Sequence, residues 1–315
     1  MTRYLRMTVL GAVSALLFSS AAWAADPDSC KTVRFSDVGW TDITSTTAAT
    51  SVVLAALGYE PTATVLSVPV TYTSLKNGDI DVFLGNWMPT MEADIAPYRD
   101  EGSVEVVAMN LTGAKYTLAA NKLAADGGIT GFGDIAQFSA ELEGKIYGIE
   151  PGNDGNRLIQ AMIDEDTFGL SGFEVVESSE QGMLAQVDRA NRRDEWIVFL
   201  GWEPHPMNAK YEMTYLAGGD DIFGPNFGGA EVFTNTRKGY VEECPNVGKL
   251  LTNLTFTLAM ENEIMSAILE GGEEPLAAAT AWLKSNPGIL GGWLAGVTTL
   301  GGDDGLAAVQ ASLGL

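Results

Sequence analysis

The chain has 315 residues, of which 41 are Asp or Glu and only 18 are Lys or Arg, giving a formal charge of −23 at pH 7. So acidic a surface repels phosphate backbones and anionic lipid, which argues against nucleic-acid or lipid-surface binding and favours cationic partners. One histidine, His205, and two cysteines, Cys30 and Cys244, are too few for a multi-histidine metal centre.

The first residues read as a targeting segment. Arg3 and Arg6 form a positive n-region, Val9 to Phe18 a short apolar run, and Ala22-Trp23-Ala24 a small-x-small cleavage signal. This pattern predicts a signal peptide over 1–24, cleaved near Ala24/Ala25, and export to the periplasm; an uncleaved anchor is the alternative. No later run of about 18 apolar residues offers a membrane span, so no direct insertion is expected after cleavage. About 290 residues then remain, enough for two modest domains. In an exported chain an even cysteine count points to a Cys30–Cys244 disulfide, with two free thiols as the alternative. Closing so long a loop contributes roughly 5 kcal/mol by the chain-entropy model. The bridge would make the middle of the chain an excursion whose two ends return to one body.

Strand-like and helical patterns alternate. Thr32 to Val38 reads as a strand, Ser45 to Leu57 as a helix capped by Thr44 or Ser45 and stopped by Gly58, and Thr62 to Val68 as a strand. Tyr72 to Asn77 is helical, Asp81 to Leu84 a buried strand, and Glu92 to Arg99 helical. Val104 to Met109 and Tyr116 to Ala119 read as two strands. The rhythm restarts with strand Lys145 to Ile149, helix Asn156 to Asp166, strand Phe173 to Val176, helix Gln181 to Asn191 and strand Trp196 to Leu200. Two short strand-like pieces, Asp220 to Phe223 and Ala230 to Thr234, precede a helical tail. This βαβα order predicts an α/β fold of two lobes, each a mostly parallel sheet flanked by helices. The expected division is 26–109 plus 215–315 for lobe I and 110–214 for lobe II, joined by two hinge crossings.

Several chemistries have no motif here. No Gly-x-Ser-x-Gly elbow accompanies His205, and neither a P-loop nor a dinucleotide fingerprint is present. Carboxylate pairs such as Asp79 with Asp81 are expected by chance in so acidic a chain. His205 between Pro204 and Pro206 reads as a loop residue rather than a catalytic base. No catalytic residue, metal or cofactor is expected.

Three tryptophans share a context. Trp40, Trp87 and Trp202 follow Gly39, Gly85-Asn86 and Gly201, each at the end of a predicted strand, where ligands of α/β sheets sit. If both sheet edges face one cleft, three indoles line it and present the π faces that attract a methylated cation unable to donate hydrogen bonds. The alternative is that all three pack an interface between lobes. Trp196 and Trp282 read as core.

At this point the residues meet a family. The pattern resembles the periplasmic substrate-binding proteins of quaternary-amine ABC importers, those for glycine betaine, proline betaine and choline. The likeness rests on Gly39-Trp40-Thr41-Asp42, Gly85-Asn86-Trp87-Met88-Pro89, Gly113 to Leu118, Ile149-Glu150-Pro151-Gly152 and Gly201-Trp202-Glu203-Pro204-His205, and is nearest to the choline-binding members. It implies a two-lobed cleft, an aromatic box of Trp40, Trp87, Tyr116 and Trp202, and a membrane permease as partner of a monomeric receptor. The chain departs from betaine binders at Pro206, where these commonly carry tryptophan. Choline brings a hydroxyl and a net positive charge, whereas betaine brings a carboxylate that a neighbouring acid repels. Asp42 is therefore expected to accept from the choline hydroxyl, with helix capping as its alternative role. Asn153 is expected to give a second polar contact, with an N-cap or turn role equally open. The reading is a choline receptor; a betaine binder and an exported choline-ester hydrolase using His205 are the alternatives.

Overall fold

The computed structural model describes residues 26–315; the expected signal peptide and cleavage site lie outside the described residues. The chain runs β1 (Thr32–Asp37), α1 (Thr41–Ala56), β2 (Glu60–Val65), α2 (Val68–Asn77), β3 (Val82–Met88), α3 (Glu92–Asp100) and β4 (Val104–Asn121). It continues through α4 (Lys122–Asp126), β5 (Lys145–Tyr147), α5 (Asp154–Asp164), β6 (Glu174–Val176), α6 (Glu180–Arg193), β7 (Val198–Glu203), α7 (Met207–Lys210) and β8 (Met213–Tyr215). Next come α8 (Asp220–Phe223), α9 (Pro225–Gly228) and β9 (Gly229–Arg237). The tail is helical: α10 (Tyr240–Glu243), α11 (Pro245–Asn253), α12 (Leu258–Leu269), α13 (Pro275–Ser285), α14 (Leu290–Trp293) and α15 (Gly305–Leu313).

The strands form one mixed sheet in the order β2-β1-β3-β9-β4-β7-β5-β6, with β8 also paired to β4. The two ends are parallel, β2 with β1 and β3 on one side and β7 with β5 and β6 on the other. Between them β4 and β9 run antiparallel to their neighbours. The parallel rhythm read from the sequence therefore describes the ends, while β4 carries the chain across the sheet and β9 brings it back.

Three local readings are corrected. The two strands expected at 104–109 and 116–119 are one, because 110–115 stays in the ladder through Leu111 opposite Val232 and Ala114 opposite Ala230, with register shifts on either side. Asp220 to Phe223 is helical rather than extended; Asp220 accepts from the amides of Asn226 and Phe227 at 3.0 and 3.3 Å and so folds the loop back. Helix α1 begins at Thr41, so neither Thr44 nor Ser45 is its cap; Trp40 stands at the N-cap and contributes no side-chain hydrogen bond.

Helix α1 is buried along most of its length although it is rich in Thr and Ser. Three of its hydroxyls turn back on the helix, Ser45 donating to the Thr41 carbonyl at 2.7 Å, Thr46 to the Ile43 carbonyl at 3.2 Å and Thr50 to the Thr46 carbonyl at 2.8 Å, which satisfies these without water, while Thr47 Oγ1 is buried without a partner. Small, self-bonded side chains let α12 and α13 pack closely against it. Gly85 in β3 does the same on the other side: a Cβ there would lie 2.7 Å from the Ile43 side chain, so glycine lets the start of α1 rest on the strand.

Cys30 and Cys244 are bonded, with Cα atoms 5.6 Å apart across 214 positions of sequence. Beside them Asp26 accepts from the amides of Asn246 and Val247 at 2.7 and 3.0 Å, ending the first turn of α11 that would otherwise hold bare donors. The start of the described chain is thus fixed to a segment in its last quarter.

Candidate functional site

The pocket is built where the two ends of the sheet face one another. The turn after β1 delivers Trp40 and Asp42, β3 delivers Trp87, β4 delivers Tyr116, β7 delivers Trp202, and the loop before α5 delivers Ile149, Asn153 and Asp154. These eight residues line one cavity with an empty volume of about 270 Å³. All six side chains expected from the sequence to contact a ligand, Trp40, Asp42, Trp87, Tyr116, Asn153 and Trp202, come together there. Trp87 and Trp202 lie within their strands rather than just beyond them, and each is followed closely by a cis peptide, Met88–Pro89 and Glu203–Pro204.

Register explains the aromatic arrangement. Tyr116 in β4 stands directly opposite Trp202 in β7, and their ring centroids are 6.4 Å apart at 80°. Trp87 also meets Tyr116, at 6.2 Å and 63°. Edge-to-face packing of this kind suits the ring quadrupoles and leaves faces free to turn inward. The four rings are all buried.

Hydrogen bonds fix each wall. The Trp40 indole N–H donates to Glu150 Oε1 at 2.8 Å and the Trp87 indole N–H to Asp42 Oδ2 at 3.2 Å. The Tyr116 hydroxyl donates to Asn153 Oδ1 at 2.8 Å. That oxygen also accepts from the Asn156 amide at 3.2 Å, so Asn153 is the N-cap of α5 while lining the pocket. Gly155 makes the approach possible, since a Cβ there would sit 2.1 Å from the Tyr116 hydroxyl.

The electrostatics are one-sided. Among the described residues no lysine, arginine or histidine lines the pocket, whereas Asp42 and Asp154 both do. Asp42 Oδ1 and Asp154 Oδ2 are buried without a hydrogen-bond partner. Loss of water around Asp42, and then the negative charge of Glu180, push its carboxyl up to about 8. Burial likewise raises Asp154 to about 6 and Glu150 to about 7. A buried anion with an empty lone pair is costly, and a cation in the pocket would relieve both terms at once. The chemistry favoured is a small, compact cation with an apolar shell.

Sequence reasoning missed Asp154, Glu150 and Ile149. Asp154 and its neighbours in Pro151-Gly152-Asn153-Asp154-Gly155 read as an ordinary turn, and Glu150 acts only through the Trp40 indole. The one available signal was that Asp154 opens a helix whose preceding loop already supplied Asn153. His205 does not line the pocket: it is buried behind Trp202, 4.8 Å from that ring. No described helix is long and apolar enough to cross a membrane.

Comparison with known proteins gives the same direction. Residues 31–285 match the family model for the substrate binding domain of ABC-type glycine betaine transport systems. An ABC-transporter choline binding protein solved in complex with choline is 69% identical over 91% of this chain and 100% of that one, with a TM-score of 0.91. An ABC-transporter choline binding protein in an unliganded semi-closed conformation gives 0.85 at the same identity and coverage. A glycine betaine/carnitine transport binding protein of Listeria monocytogenes is 28% identical over 159 residues, which are 50% of this chain and 52% of that protein.

Proposed function

The chain belongs to the family of substrate-binding domains of ABC-type glycine betaine transport systems, and on that premise we propose that it captures choline and delivers it to a membrane permease. It is an extracytoplasmic transport receptor and not an enzyme, in keeping with its family and close structural relative. The observation that carries choline over betaine is the pair of unpartnered buried oxygens, Asp42 Oδ1 and Asp154 Oδ2, in a pocket without a positive side chain. A trimethylammonium group fits between Trp40, Trp87, Tyr116 and Trp202; Asp42 and Asn153 take the hydroxyl. The carboxylate of a betaine would be repelled by the ionised form of Asp42 and tolerated only beside the protonated one, whereas choline favours the ionised form.

Magnitudes support a useful affinity. Each desolvated cation–π contact gives about 2 kcal/mol, and a micromolar complex needs roughly 8 kcal/mol. Four such rings give a gross attraction of about that size, so charge and shape fit must offset the cost of immobilising the ligand.

The reading also includes two lobes, 26–109 with 215–315 and 110–214, that close on the ligand. The position of the pocket between the ends of the sheet supports this division, as does the mutual pinning of Cys30 and Cys244. The reading takes the receptor as a monomer. Signal cleavage near Ala24 would release it into the periplasm.

Titration calorimetry with choline, acetylcholine and glycine betaine tests the reading. Choline is expected to bind at least tenfold more tightly than betaine, about 1.4 kcal/mol. Equal affinity for the two would overturn the assignment of Asp42 and Asp154.

A further inference from the structure

Helix α1 has no cap of its own. Thr41 is its first residue, the Trp40 side chain offers no acceptor, and the Thr41 amide would be a bare donor at the positive end of a 16-residue helix. The missing acceptor comes from 139 positions away. Glu180, the first residue of α6, accepts from the Thr41 amide through Oε2 at 2.7 Å and from the Thr41 hydroxyl through Oε1 at 2.7 Å. The same Oε1 lies 3.1 Å from His205 Nε2. His205 Nδ1 accepts from the Met207 amide at 2.9 Å, so Nε2 carries the proton and donates to Glu180. Glu180 and His205 are both almost completely buried, at 1% and 2% exposure.

The placement of Thr41, Glu180 and His205 is specific. Thr41 sits between Trp40 and Asp42, at the parallel end formed by β2, β1 and β3. Glu180 follows β6 at the opposite end, and His205 packs against Trp202. One carboxylate thus joins the wall bearing Trp40 and Asp42 to the wall bearing Trp202 without entering the pocket. An exposed ion pair repeats the crossing nearer the surface: Arg157 of α5 grips Asp94 of α3 through two bonds of 2.8 Å and reaches the Thr90 carbonyl at 3.3 Å.

We propose that Glu180 is the clasp of the closed receptor, a positioning residue that caps α1 from the other lobe and, through Thr41 and His205, holds the two walls of the box in register. The proposal rests on the two-lobed choline reading. Opening the lobes would pull Glu180 from Thr41 and leave the end of α1 to water, so the clasp engages only when the box is assembled. His205 thereby has a role that is neither catalysis nor ligand contact: it orients the carboxylate toward Thr41.

Two measurements separate the clasp from the binding reading. In the first, Glu180→Ala is compared with wild type by stopped-flow tryptophan fluorescence with choline. The dissociation rate is expected to rise about tenfold or more, as for loss of hydrogen bonds to a charged group, with the association rate changed much less. In the second, spin labels at the exposed Val65 and Gln160 report the distance between the two halves without ligand. Wild type is expected to populate a short distance that Glu180→Ala loses. Thr41→Val, which removes only the hydroxyl donor, is expected to give a smaller change in the same direction and serves if Glu180→Ala does not fold. Wild type that fails to bind choline sinks the choline reading and leaves the label distances to judge the clasp. Unchanged dissociation and unchanged distances in Glu180→Ala or Thr41→Val overturn the clasp while choline binding stands.

Discussion

Trp87 donates its indole N–H to Asp42 Oδ2 at 3.2 Å and leaves Asp42 Oδ1 without a partner. One oxygen thus orients an aromatic wall, and in the proposed function the other takes the ligand hydroxyl. Asp42→Asn keeps the shape of the side chain and removes its charge. Choline affinity is expected to fall about 10–100-fold, the range for a hydrogen bond to a charged group. Betaine affinity is expected to fall less or to rise. Calorimetry on both ligands checks this; an equal loss for both would show that Asp42 serves only to hold Trp87.

Proton linkage follows from the same carboxyl. With Asp42 pushed up to about 8, the empty pocket holds it largely protonated at pH 6, and a cation that prefers the carboxylate must expel that proton. Choline affinity should therefore climb as pH rises from 6 and level off above about 8, with net proton release on binding near pH 7. Calorimetry in two buffers of different ionisation enthalpy reads the release directly. Affinity independent of pH across that window contradicts the raised value.

The ligand-free protein should show the complementary trend. Asp42, Asp154 and Glu150 all have folded-state values raised above their ordinary range, chiefly by burial. Their contribution to stability is complete below the unfolded value near 4 and is lost as pH rises through about 6 to 8. Melting temperature without ligand is expected to decline between pH 5 and pH 8.5, and saturating choline should flatten that decline. Differential scanning calorimetry at three pH values is sufficient.

Removing one wall tests the box itself. Trp202→Ala takes away a ring that Tyr116 and His205 both touch. A loss of about 2 kcal/mol, roughly 30-fold in choline affinity, is expected for a desolvated cation–π contact. Tyr116→Phe keeps the ring and gives up only the bond to Asn153, so a change of a few-fold is expected. Unchanged affinity in Trp202→Ala would falsify the aromatic box.

The Cys30–Cys244 bridge lies apart from the pocket residues, and its loss should act on stability rather than on recognition. The double variant Cys30→Ala/Cys244→Ala is expected to lose about 2–5 kcal/mol of unfolding free energy. Choline affinity at low temperature should stay within a factor of about two. Urea unfolding with parallel calorimetry separates the two effects.

Much of the pocket was legible because glycine–tryptophan pairs at strand ends are local features. Trp40, Trp87 and Trp202 could be singled out from such spacing, and Tyr116 only through likeness to a family. Asp154 was hidden by a turn-like composition, and Glu180 by distance, since nothing in its own neighbourhood hints at a partner 139 residues earlier. The alternation of elements was readable for the same local reason. The continuity of β4 was not: Gly113 and the polar residues around it look like a break, and only pairing with β9, more than a hundred residues later, keeps them in the sheet.

That continuity has a mechanical result. β4 holds β9 along its first two-thirds and β7 and β8 along its last third, so both halves of the molecule hang on one unbroken backbone. Its register shifts fall between Val106 and Ala114, where the ladder is already irregular. In the two-lobed reading, opening is expected to bend β4 near Lys115, where its partner changes from β9 to β7 just past the last register shift, so that the halves recoil like the arms of a spring instead of swivelling freely.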